Sequence, residues 1–212
     1  VAHERGERIE LFRPLNMLHR YPAEISPDKK TQKRIITAGR LVEQKGYDLL
    51  LDTWSKVHQK HPEWILDIYG EGEDKNMLLE KRKNLALENS VLFHPPTPDI
   101  YQKYMDSDFY VMSSRYEGFG LVLAEAMSCG IPCVSFDCPH GPSDIIKDHE
   151  DGLLVEKENI KELADKICYL IENENVRIKM GHKARENVKR FLPENVMPQW
   201  KNLFESLTYS SK

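Results

Sequence analysis

The sequence predicts an α/β domain in which a mostly parallel β-sheet carries helices on both faces. Two observations predict this class. From Lys33 onward, short apolar runs rich in β-branched and aromatic residues alternate with longer segments of helical periodicity. Strands that alternate with helices form right-handed β-α-β units, which place the strands parallel and the helices on either side. The length of 212 residues suits one such domain with a substantial core.

The first half of the chain contains three predicted strands, at residues 34–38, 64–69 and 91–93. Each is a β-branched or aromatic run, and glycine follows the first two. Helices are predicted at residues 47–60, 74–87 and 98–105. In the first helix, Leu50, Trp54 and Val57 recur at helical spacing on one face. The third helix opens with Pro98, because proline is favoured in the first turn.

The second half continues with predicted strands at residues 109–113, 131–136 and 152–155. A helix at 120–128 is stopped by Gly130, since glycine favours helix ends. Pro132 lies early in its strand, where a missing N–H is tolerated. A helical turn is expected at 143–147. From Glu158 the chain is helical, with predicted breaks near 173–175 and at Pro193 and Pro198.

Three segments follow from this pattern. Residues 1–33 are interpreted as an irregular leader or fragment edge, because three prolines interrupt any regular element. Residues 34–192 form the α/β domain, and residues 193–212 form a C-terminal helix. Ligands of such sheets bind beyond the carboxyl ends of the strands. The loops in which to look for a site are therefore those after Ala38, Tyr69, Phe93, Ser113 and Phe136.

Composition limits the function. The formal net charge of −4 gives no bulk attraction to nucleic acid or to anionic lipid. No apolar run approaches the roughly 20 residues of a membrane span, and the charged first ten residues do not suit a signal peptide. The four cysteines form no Cys-x-x-Cys pair, which favours reduced core thiols, a cytoplasmic location and no metal site.

The most specific motif follows the strand at 109–113, where Glu117-Gly118-Phe119-Gly120-Leu121 leads into a helix. Free backbone N–H groups and the positive end of the helix dipole then lie at a strand's carboxyl end, a place suited to phosphate. Glu117 is misplaced for a phosphate ligand and is better suited to accept hydrogen bonds from sugar hydroxyls. Glu125 lies further along the same helix, and a vicinal diol such as ribose would satisfy it bidentately.

A second motif, Gly39-Arg40-Leu41 with Gln44-Lys45-Gly46, follows the first predicted strand. Arg40 offers a planar fork for phosphate oxygens, and Lys45 offers a compact point charge. Because both cations lie in one strand-to-helix loop, we expect them to neutralise a diphosphate together.

These two motifs resemble those of the retaining glycosyltransferases of the GT-B fold, family 4. The pair Glu117 and Glu125, eight residues apart, is the most specific mark, and the resemblance runs from about residue 34 to 190. Weaker support comes from Tyr69-Gly70-Glu71-Gly72 and Asp151-Gly152-Leu153-Leu154-Val155. The resemblance implies a Rossmann-like sheet that is the C-terminal, nucleotide-sugar-binding half of a GT-B fold.

The resemblance also implies roles for individual residues. Arg40 and Lys45 would hold the donor diphosphate, Glu117 the hydroxyls of the donor sugar, and Glu125 the ribose. The base would lie near Phe93 and His94. The further donor-binding positions are Gly39, Gly70, Gly118, Phe119, Gly120 and Leu121.

The implied chemistry is the transfer, with retention, of a hexose or N-acetylhexosamine from a nucleotide diphosphate sugar to a saccharide or lipid-linked acceptor. No essential metal or other cofactor is implied. The segment Gly141-Pro142-Ser143-Asp144 resembles a variant found in members that use UDP-sugars. The sequence departs from the family at His94-Pro95-Pro96, where a glycine is common after Phe93.

The resemblance further implies that an N-terminal acceptor domain precedes this half in the whole protein, and that the helix at 193–212 crosses back to it. The isolated half would then be inactive, and the whole protein could lie at the inner face of the membrane. Two alternatives stay open: a nucleotide-sugar-binding module without turnover, and a GT-B sugar epimerase. A nicotinamide dehydrogenase is disfavoured, because Lys75 occupies the third glycine position of the Gly-x-Gly-x-x-Gly fingerprint that begins at Gly70.

Overall fold

A computed structural model describes residues 17–23 and 32–209. Within these residues, six parallel strands form one sheet with the spatial order β3-β2-β1-β4-β5-β6. The strands are β1 (Arg34–Ala38), β2 (Ile65–Tyr69), β3 (Val91–His94), β4 (Phe109–Met112), β5 (Cys133–Asp137) and β6 (Gly152–Glu156). The parallel α/β class predicted from the sequence is confirmed.

The strand order reverses direction between β1 and β4. β1 pairs with β2 on one side, where Ala38 is opposite Tyr69, and with β4 on the other, where Ile36 is opposite Tyr110. The chain therefore builds outward from β1 in one direction and then from β4 in the other. Such a reversal opens a crevice between the loops that follow the two central strands, and doubly wound sheets bind ligands there.

Helices cover both faces of the sheet. They are α1 (Tyr47–Lys60), α2 (Lys75–Asn84), α3 (Ile100–Met105), α4 (Leu121–Ser128), α5 (Pro142–Ile145), α6 (Ile160–Glu172), α7 (Glu174–Asn187) and α8 (Pro193–Tyr209). Short 3-10 turns, Glu43–Lys45 and Val188–Phe191, precede α1 and α8. None of the helices in the described part of the chain is both long and apolar enough to cross a membrane.

Two apolar layers hold these elements together, one on each face of the sheet. The first contains Trp54 of α1 and Phe109 of β4, both fully buried, together with residues of α6. The second contains Tyr104 of α3 and Leu123 of α4. Burial of large side chains stabilises each layer by roughly 1.5–3 kcal/mol per side chain. The helices α3 and α4 are thereby fixed on the same face and at the carboxyl edge of the central strands.

The described part of the expected leader, residues 17–23, has no regular secondary structure but packs on the domain. Leu18 is 1% exposed, and its N–H donates to the Phe191 carbonyl at 2.8 Å. The guanidinium of Arg185 lies over the Tyr21 ring at 4.1 Å from its centroid. The remainder of the expected leader, residues 1–16 and 24–31, lies outside the described residues.

Two predictions about prolines were wrong. Pro98 does not open a helix, because Asp99 has non-helical backbone angles and α3 begins only at Ile100. Pro198 does not break a helix but lies inside α8. Its ring nitrogen leaves the Glu194 carbonyl without a helical donor, but Glu194 and Pro198 are both exposed, so water can hydrate that carbonyl.

Other boundaries shift by a few residues. The helix predicted at 74–87 is α2, which ends at Asn84; Ala86 then takes a positive φ of 53°. The strand predicted from Ile131 is β5, which begins at Cys133. Pro132 has no N–H for the ladder, although its carbonyl accepts a hydrogen bond from the Tyr110 N–H at 3.0 Å. The predicted break near residue 173 is confirmed at Asn173, between α6 and α7.

Candidate functional site

The loops that follow β1 and β4 are joined directly at the sheet's point of reversal. The Ser113 hydroxyl donates to the Lys45 carbonyl at 3.0 Å, and the Arg115 N–H donates to the Gln44 carbonyl at 2.8 Å. The Gln44 amide in turn donates to the Tyr116 carbonyl at 3.0 Å. These bonds hold the loop from Gly39 to Gly46 against the loop that leads into α4. The two sequence motifs therefore form one site.

An ion pair lies at the centre of this junction. The Lys45 Nζ is 2.7 Å from the Glu117 Oε1, and the two side chains are 18% and 7% exposed. The Ser114 hydroxyl donates to the same carboxylate oxygen at 2.6 Å. Glu117 is thus positioned by two donors, and Lys45 is positioned by Glu117. The carboxylate and the ammonium neutralise each other in the absence of a ligand.

Arg40 differs from Lys45 in having no side-chain hydrogen bond or ion pair with another described residue. It is exposed at the rim of a groove with a volume of about 520 Å³, beyond the carboxyl ends of β1 and β2. This volume is within the roughly 300–1,000 Å³ typical of small-molecule sites. The groove is lined by Ala38, Gly39, Arg40, Tyr69, Gly70, Glu71, Pro96, Thr97, Ile100, Tyr104, Val122 and Glu125.

Gly70 in this groove allows two strand ends to approach closely. A Cβ at this position would lie 1.9 Å from the Gly39 carbonyl oxygen, so no larger residue fits without moving the backbone. The Gly39 N–H donates to the Tyr69 carbonyl at 3.0 Å, which continues the pairing of β1 and β2 beyond their ends. Together Gly39 and Gly70 form a narrow backbone floor between the two loops.

Glu125 lies on α4 with its side chain at the groove. Partial burial raises the pKa of its carboxyl above the ordinary value, although the neighbouring charge of His19 lowers it. A partly buried carboxylate with no hydrogen-bond donor among the described residues is ready to accept hydrogen bonds from a ligand. Its assignment to the ribose stays a prediction.

The beginning of α4 faces the same region. Gly120 caps the helix with a φ of 86°, and no side chain caps its free N–H groups. The helix dipole adds partial positive charge there. A Cβ at Gly118 would meet nothing within 4 Å, so the space beside this residue is open. Open space next to free N–H groups suits an oxyanion.

Phe93 and His94, at the end of β3, do not line this groove, although His94 stacks on Tyr69, which does. The Phe93 ring packs against the first core layer and lies 5.7 Å from the Arg82 guanidinium. The His94 ring stacks on Tyr69 with centroids 4.4 Å apart, and its Nε2 is 2.7 Å from Asp67 Oδ1. The Phe93 side chain thus packs against the core, while His94 stacks on Tyr69, one of the groove residues.

Phe119 and Leu121 are only partly buried and contact the second core layer. The Phe119 ring meets Phe191 edge-to-face with centroids 5.4 Å apart. A Cβ at Gly141 would lie 1.8 Å from the Phe119 carbonyl oxygen, which brings the loop after β5 next to the loop that leads into α4. A third strand end therefore borders the site.

Some groove residues were not found by sequence reasoning. Tyr69 ends β2 at the carboxyl edge, and that position was a signal which could have identified it. Ile100 and Tyr104 lie four residues apart on α3, a spacing shared with many core residues and therefore uninformative alone. The pairing of Lys45 with Glu117 required the sheet order, which sequence patterns do not give.

The described residues provide neither a cysteine thiolate near neutral pH nor a cluster of side chains that could hold a metal ion. All four cysteines are free and buried, and burial raises the pKa of the Cys129 thiol to about 12 and that of the Cys138 thiol to about 11. Thiolates of this kind do not form near neutral pH. No cluster of histidine, cysteine and carboxylate side chains able to hold a metal ion occurs in the part of the chain that the structure describes.

Residues 23–187 match the family model of the group 1 glycosyl transferases. The match spans well over half of the sequence and contains the whole junction of the two loops. The chain belongs to this family. The site just described is therefore the carboxyl-edge crevice of a glycosyltransferase domain, and the six-stranded sheet is its Rossmann-like core.

Relatives and solved structures agree with this assignment. The chain is 35% identical over 195 residues to the amylovoran biosynthesis glycosyltransferase AmsD of Erwinia amylovora, covering 92% of this chain and 54% of that protein. It superposes with a TM-score of 0.80 and 34% identity on a mutant of S. aureus TarM, solved in complex with fondaparinux, alpha-GlcNAc-glycerol and UDP. That superposition covers 88% of this chain and 37% of TarM.

The pneumococcal O-GlcNAc transferase GtfA, solved in complex with UDP and GlcNAc, gives a TM-score of 0.77 at 29% identity. The match covers 87% of this chain and 38% of GtfA. The chain spans about half, or less, of the length of the proteins it matches. The two solved structures share the fold of this chain.

Proposed function

We propose that this chain is the donor-binding domain of a retaining glycosyltransferase of family 4. It binds a UDP-hexose or UDP-N-acetylhexosamine, and the whole protein transfers the sugar to a saccharide or lipid-linked acceptor. One observation carries the proposal. The loop with Arg40 and Lys45 is joined to the loop with Glu117 at the reversal point of the sheet, beside a groove that also holds Glu125.

The charges of this region suit a diphosphate that becomes a leaving group. As the bond between the sugar and the diphosphate breaks, negative charge grows on the diphosphate and positive charge grows on the sugar ring. Arg40, Lys45 and the N–H groups at the start of α4 stabilise that negative charge. Such prearranged donors contribute about 2.7–4 kcal/mol each to transition-state stabilisation in known enzymes. The proposed reaction uses these groups without an essential metal.

Glu117 has a positioning role in this proposal. It accepts from Lys45 and Ser114 in the absence of a ligand, and it accepts from donor-sugar hydroxyls when the diphosphate draws Lys45 away. It is not assigned as a nucleophile. Glu125, about one turn along α4, accepts from the ribose diol. The nucleobase then lies toward Tyr69 and Thr97, at the far end of the groove.

Among the possible nucleotides, UDP has the best support as the nucleotide of the donor. The support comes from the solved relatives and from the loop after β5. TarM and GtfA were both solved with UDP, and the Gly141-Pro142 pair resembles that of family members that use UDP-sugars. The relatives are about twice this chain's length or longer, which supports an acceptor domain elsewhere in the parent protein. The proposal places most of the acceptor choice there and leaves the isolated domain able to bind donor but not to transfer it.

Titration calorimetry with UDP tests the proposal, and Arg40→Ala is its sharpest variant. Arg40 is exposed and has no described side-chain partner, so its removal leaves the fold intact and reports on ligand alone. Loss of a charge-assisted hydrogen bond costs about 1.5–3 kcal/mol, which raises the dissociation constant about tenfold to a hundredfold. Lys45→Ala should also weaken UDP binding, but by less, because Lys45 must leave Glu117 to reach the diphosphate.

Lys60→Ala is the matched control, because Lys60 is exposed at the far end of α1 and its one ion pair among the described residues is with Asp165 at 3.8 Å. It should leave UDP affinity unchanged. Equal UDP affinity in Arg40→Ala, Lys45→Ala and the control would refute the diphosphate assignment. Turnover is tested on the parent protein: transfer by the whole chain and none by the domain alone separates an enzyme domain from a module that only binds nucleotide sugars.

A further inference from the structure

A second groove lies next to the donor groove and shares Arg40 with it. Its volume is about 480 Å³, within the range of small-molecule sites. Four segments form it: the loops after β1, β2 and β4, and the segment that follows β6. The proposed donor contacts account for only one of its residues. Its walls are formed by Arg40, Val42, Glu43, Gln44, Glu73, Arg115, Tyr116, Lys157 and Glu158.

Tyr116 presents an aromatic ring in this groove. The side chain is 56% exposed, one of the largest exposures of an aromatic residue in the described domain. Its backbone is nevertheless fixed, because its carbonyl accepts from Gln44 at 3.0 Å and the preceding N–H, of Arg115, donates to the Gln44 carbonyl at 2.8 Å. A tyrosine on a fixed backbone offers a flat apolar face and a polar tip at low entropic cost.

Arg115 forms the rigid inner wall of the groove. It donates to both carboxylate oxygens of Asp48, at 2.8 and 2.7 Å, and to the Glu43 carbonyl at 2.8 Å. Partial burial, the largest single cause, raises the pKa of Asp48, but the hydrogen bonds and charge of Arg115 together with the backbone N–H groups of Asp48 and Leu49 hold that pKa below its ordinary value. This wall therefore keeps its shape and charge near neutral pH.

The charged side chains of the groove balance. Three bases, Arg40, Arg115 and Lys157, are matched by three acids, Glu43, Glu73 and Glu158. Because Asp48 already pairs with Arg115, an anionic ligand would meet an excess of carboxylates, whereas Arg40 and Lys157 oppose a strongly cationic one. A neutral ligand rich in hydroxyl groups suits such a surface, because each hydroxyl donates to a carboxylate and accepts from a base.

The position of the groove indicates which neutral hydroxylated ligand it takes. Tyr116 directly precedes Glu117, the residue assigned to the transferred sugar, and Arg40 separates this groove from the diphosphate. We propose that the Tyr116 groove binds a neutral pyranose unit of the acceptor saccharide, with its apolar face on the tyrosine ring. This inference rests on the proposed function, because that function places the donor sugar beside Glu117.

Amide chemical-shift mapping of the 212-residue chain tests the inference. UDP is added first to fill the donor groove, and methyl α-D-glucopyranoside or its N-acetylglucosamine counterpart is then titrated. We expect shifts at the amides of Val42, Tyr116 and Glu158, with a dissociation constant on the order of 1 mM. Tyr116→Ala should weaken this binding about twofold to tenfold, the value of one aromatic contact.

Tyr169→Ala is the matched control, since Tyr169 is a 41% exposed tyrosine on α6, away from both grooves. It should leave the glycoside titration unchanged. Glycoside shifts confined to Tyr69 and Ile100 of the donor groove, or the same affinity in Tyr116→Ala and wild type, would overturn the proposal. If the glycoside causes no amide chemical-shift change at saturating UDP, that result would also overturn the proposal.

The two proposals fail in different ways. A chain that does not bind UDP, but still shows glycoside shifts around Tyr116, would remove the proposed donor while supporting a saccharide groove. A chain that binds UDP normally, with no response at Tyr116, would remove the groove alone. Tyr116→Ala should bind UDP as wild type does, because Tyr116 contributes no side chain to the donor groove.

Discussion

Replacing Glu117 by glutamine should strengthen the binding of UDP and reduce the additional affinity that a sugar gives. The Lys45 ammonium lies 2.7 Å from the Glu117 carboxylate, and both side chains are largely shielded from water. A diphosphate can recruit Lys45 only by drawing it away from that partner. UDP contains ribose but lacks the donor sugar. It therefore leaves Glu117 with Ser114 as its sole described donor.

The magnitude follows from two opposing contributions. Separating Lys45 from the buried Glu117 carboxylate has a cost, and the pair opens because the new charge-assisted hydrogen bond from Lys45 to phosphate, about 1.5–3 kcal/mol, exceeds that cost. The glutamine has no charge to leave uncompensated, so most of that cost disappears. We expect UDP to bind Glu117→Gln about tenfold to a hundredfold more tightly, which corresponds to about 1.4–2.8 kcal/mol.

The additional affinity that the donor sugar gives should change in the opposite direction and fall in Glu117→Gln. In wild type, its hydroxyls donate to the carboxylate that Lys45 has left and recover about 1.5–3 kcal/mol per bond. A neutral amide accepts more weakly, at about 1 kcal/mol. The ratio of UDP to UDP-sugar dissociation constants should therefore fall in Glu117→Gln. Lys45 and Glu117 would then couple the recognition of the diphosphate to that of the sugar.

Calorimetry with UDP and UDP-N-acetylglucosamine on both proteins measures this ratio. Glu63→Gln is a suitable control, because Glu63 is exposed before β2, at the opposite edge of the sheet, and is 3.9 Å from Lys33. Circular dichroism confirms that each variant is folded. Unchanged UDP affinity in Glu117→Gln, or equal weakening of both ligands, would refute the coupling.

Three further outcomes are expected. Gly118→Ala should retain the wild-type melting temperature, because the added Cβ meets nothing within 4 Å. It should bind UDP more weakly, because the methyl group fills the space beside α4. Unchanged UDP affinity would contradict this. Gly141→Ala should lose stability in thermal melts, since its φ is 111° and the Cβ would lie 1.8 Å from the Phe119 carbonyl oxygen; an unchanged melting temperature would contradict that packing. Burial raises the pKa of Glu125, so its ionised form costs stability above the unfolded pKa. Glu125→Gln should therefore melt at a higher temperature than wild type near neutral pH, and this difference should vanish at acidic pH. The affinity of the wild-type domain for UDP-sugar should fall as the pH falls through the raised pKa of Glu125. The affinity of Glu125→Gln should not change over the same pH range.

Much of the fold was readable because strands and helices in parallel sheets have strong local patterns. The predicted limits of β1 and α1 match the structure to the residue, since β-branched runs and a stripe of Leu50, Trp54 and Val57 leave few alternatives. Proline was less informative. At Pro98 and Pro198 the local rule depends on whether neighbouring backbone is helical and hydrated, and only the folded environment decides that.

The site was partly predictable for a related reason. Residues at the ends of parallel strands meet at one edge, so Arg40, Lys45 and Glu117 could be placed together before any coordinates were considered. The bond between Lys45 and Glu117 could not, because it depends on β1 lying beside β4. The inward direction of Phe93 and the contribution of Tyr104 to the groove also depend on tertiary packing rather than on spacing.

A crystal structure of this domain with UDP would test the central claim most directly. We expect the diphosphate between the Arg40 and Lys45 side chains, within hydrogen-bonding distance of the first N–H groups of α4, with the ribose diol on Glu125 and Lys45 no longer bound to Glu117. A diphosphate bound at another edge of the sheet, or one that leaves the Lys45–Glu117 pair closed and Arg40 unengaged, would contradict the account.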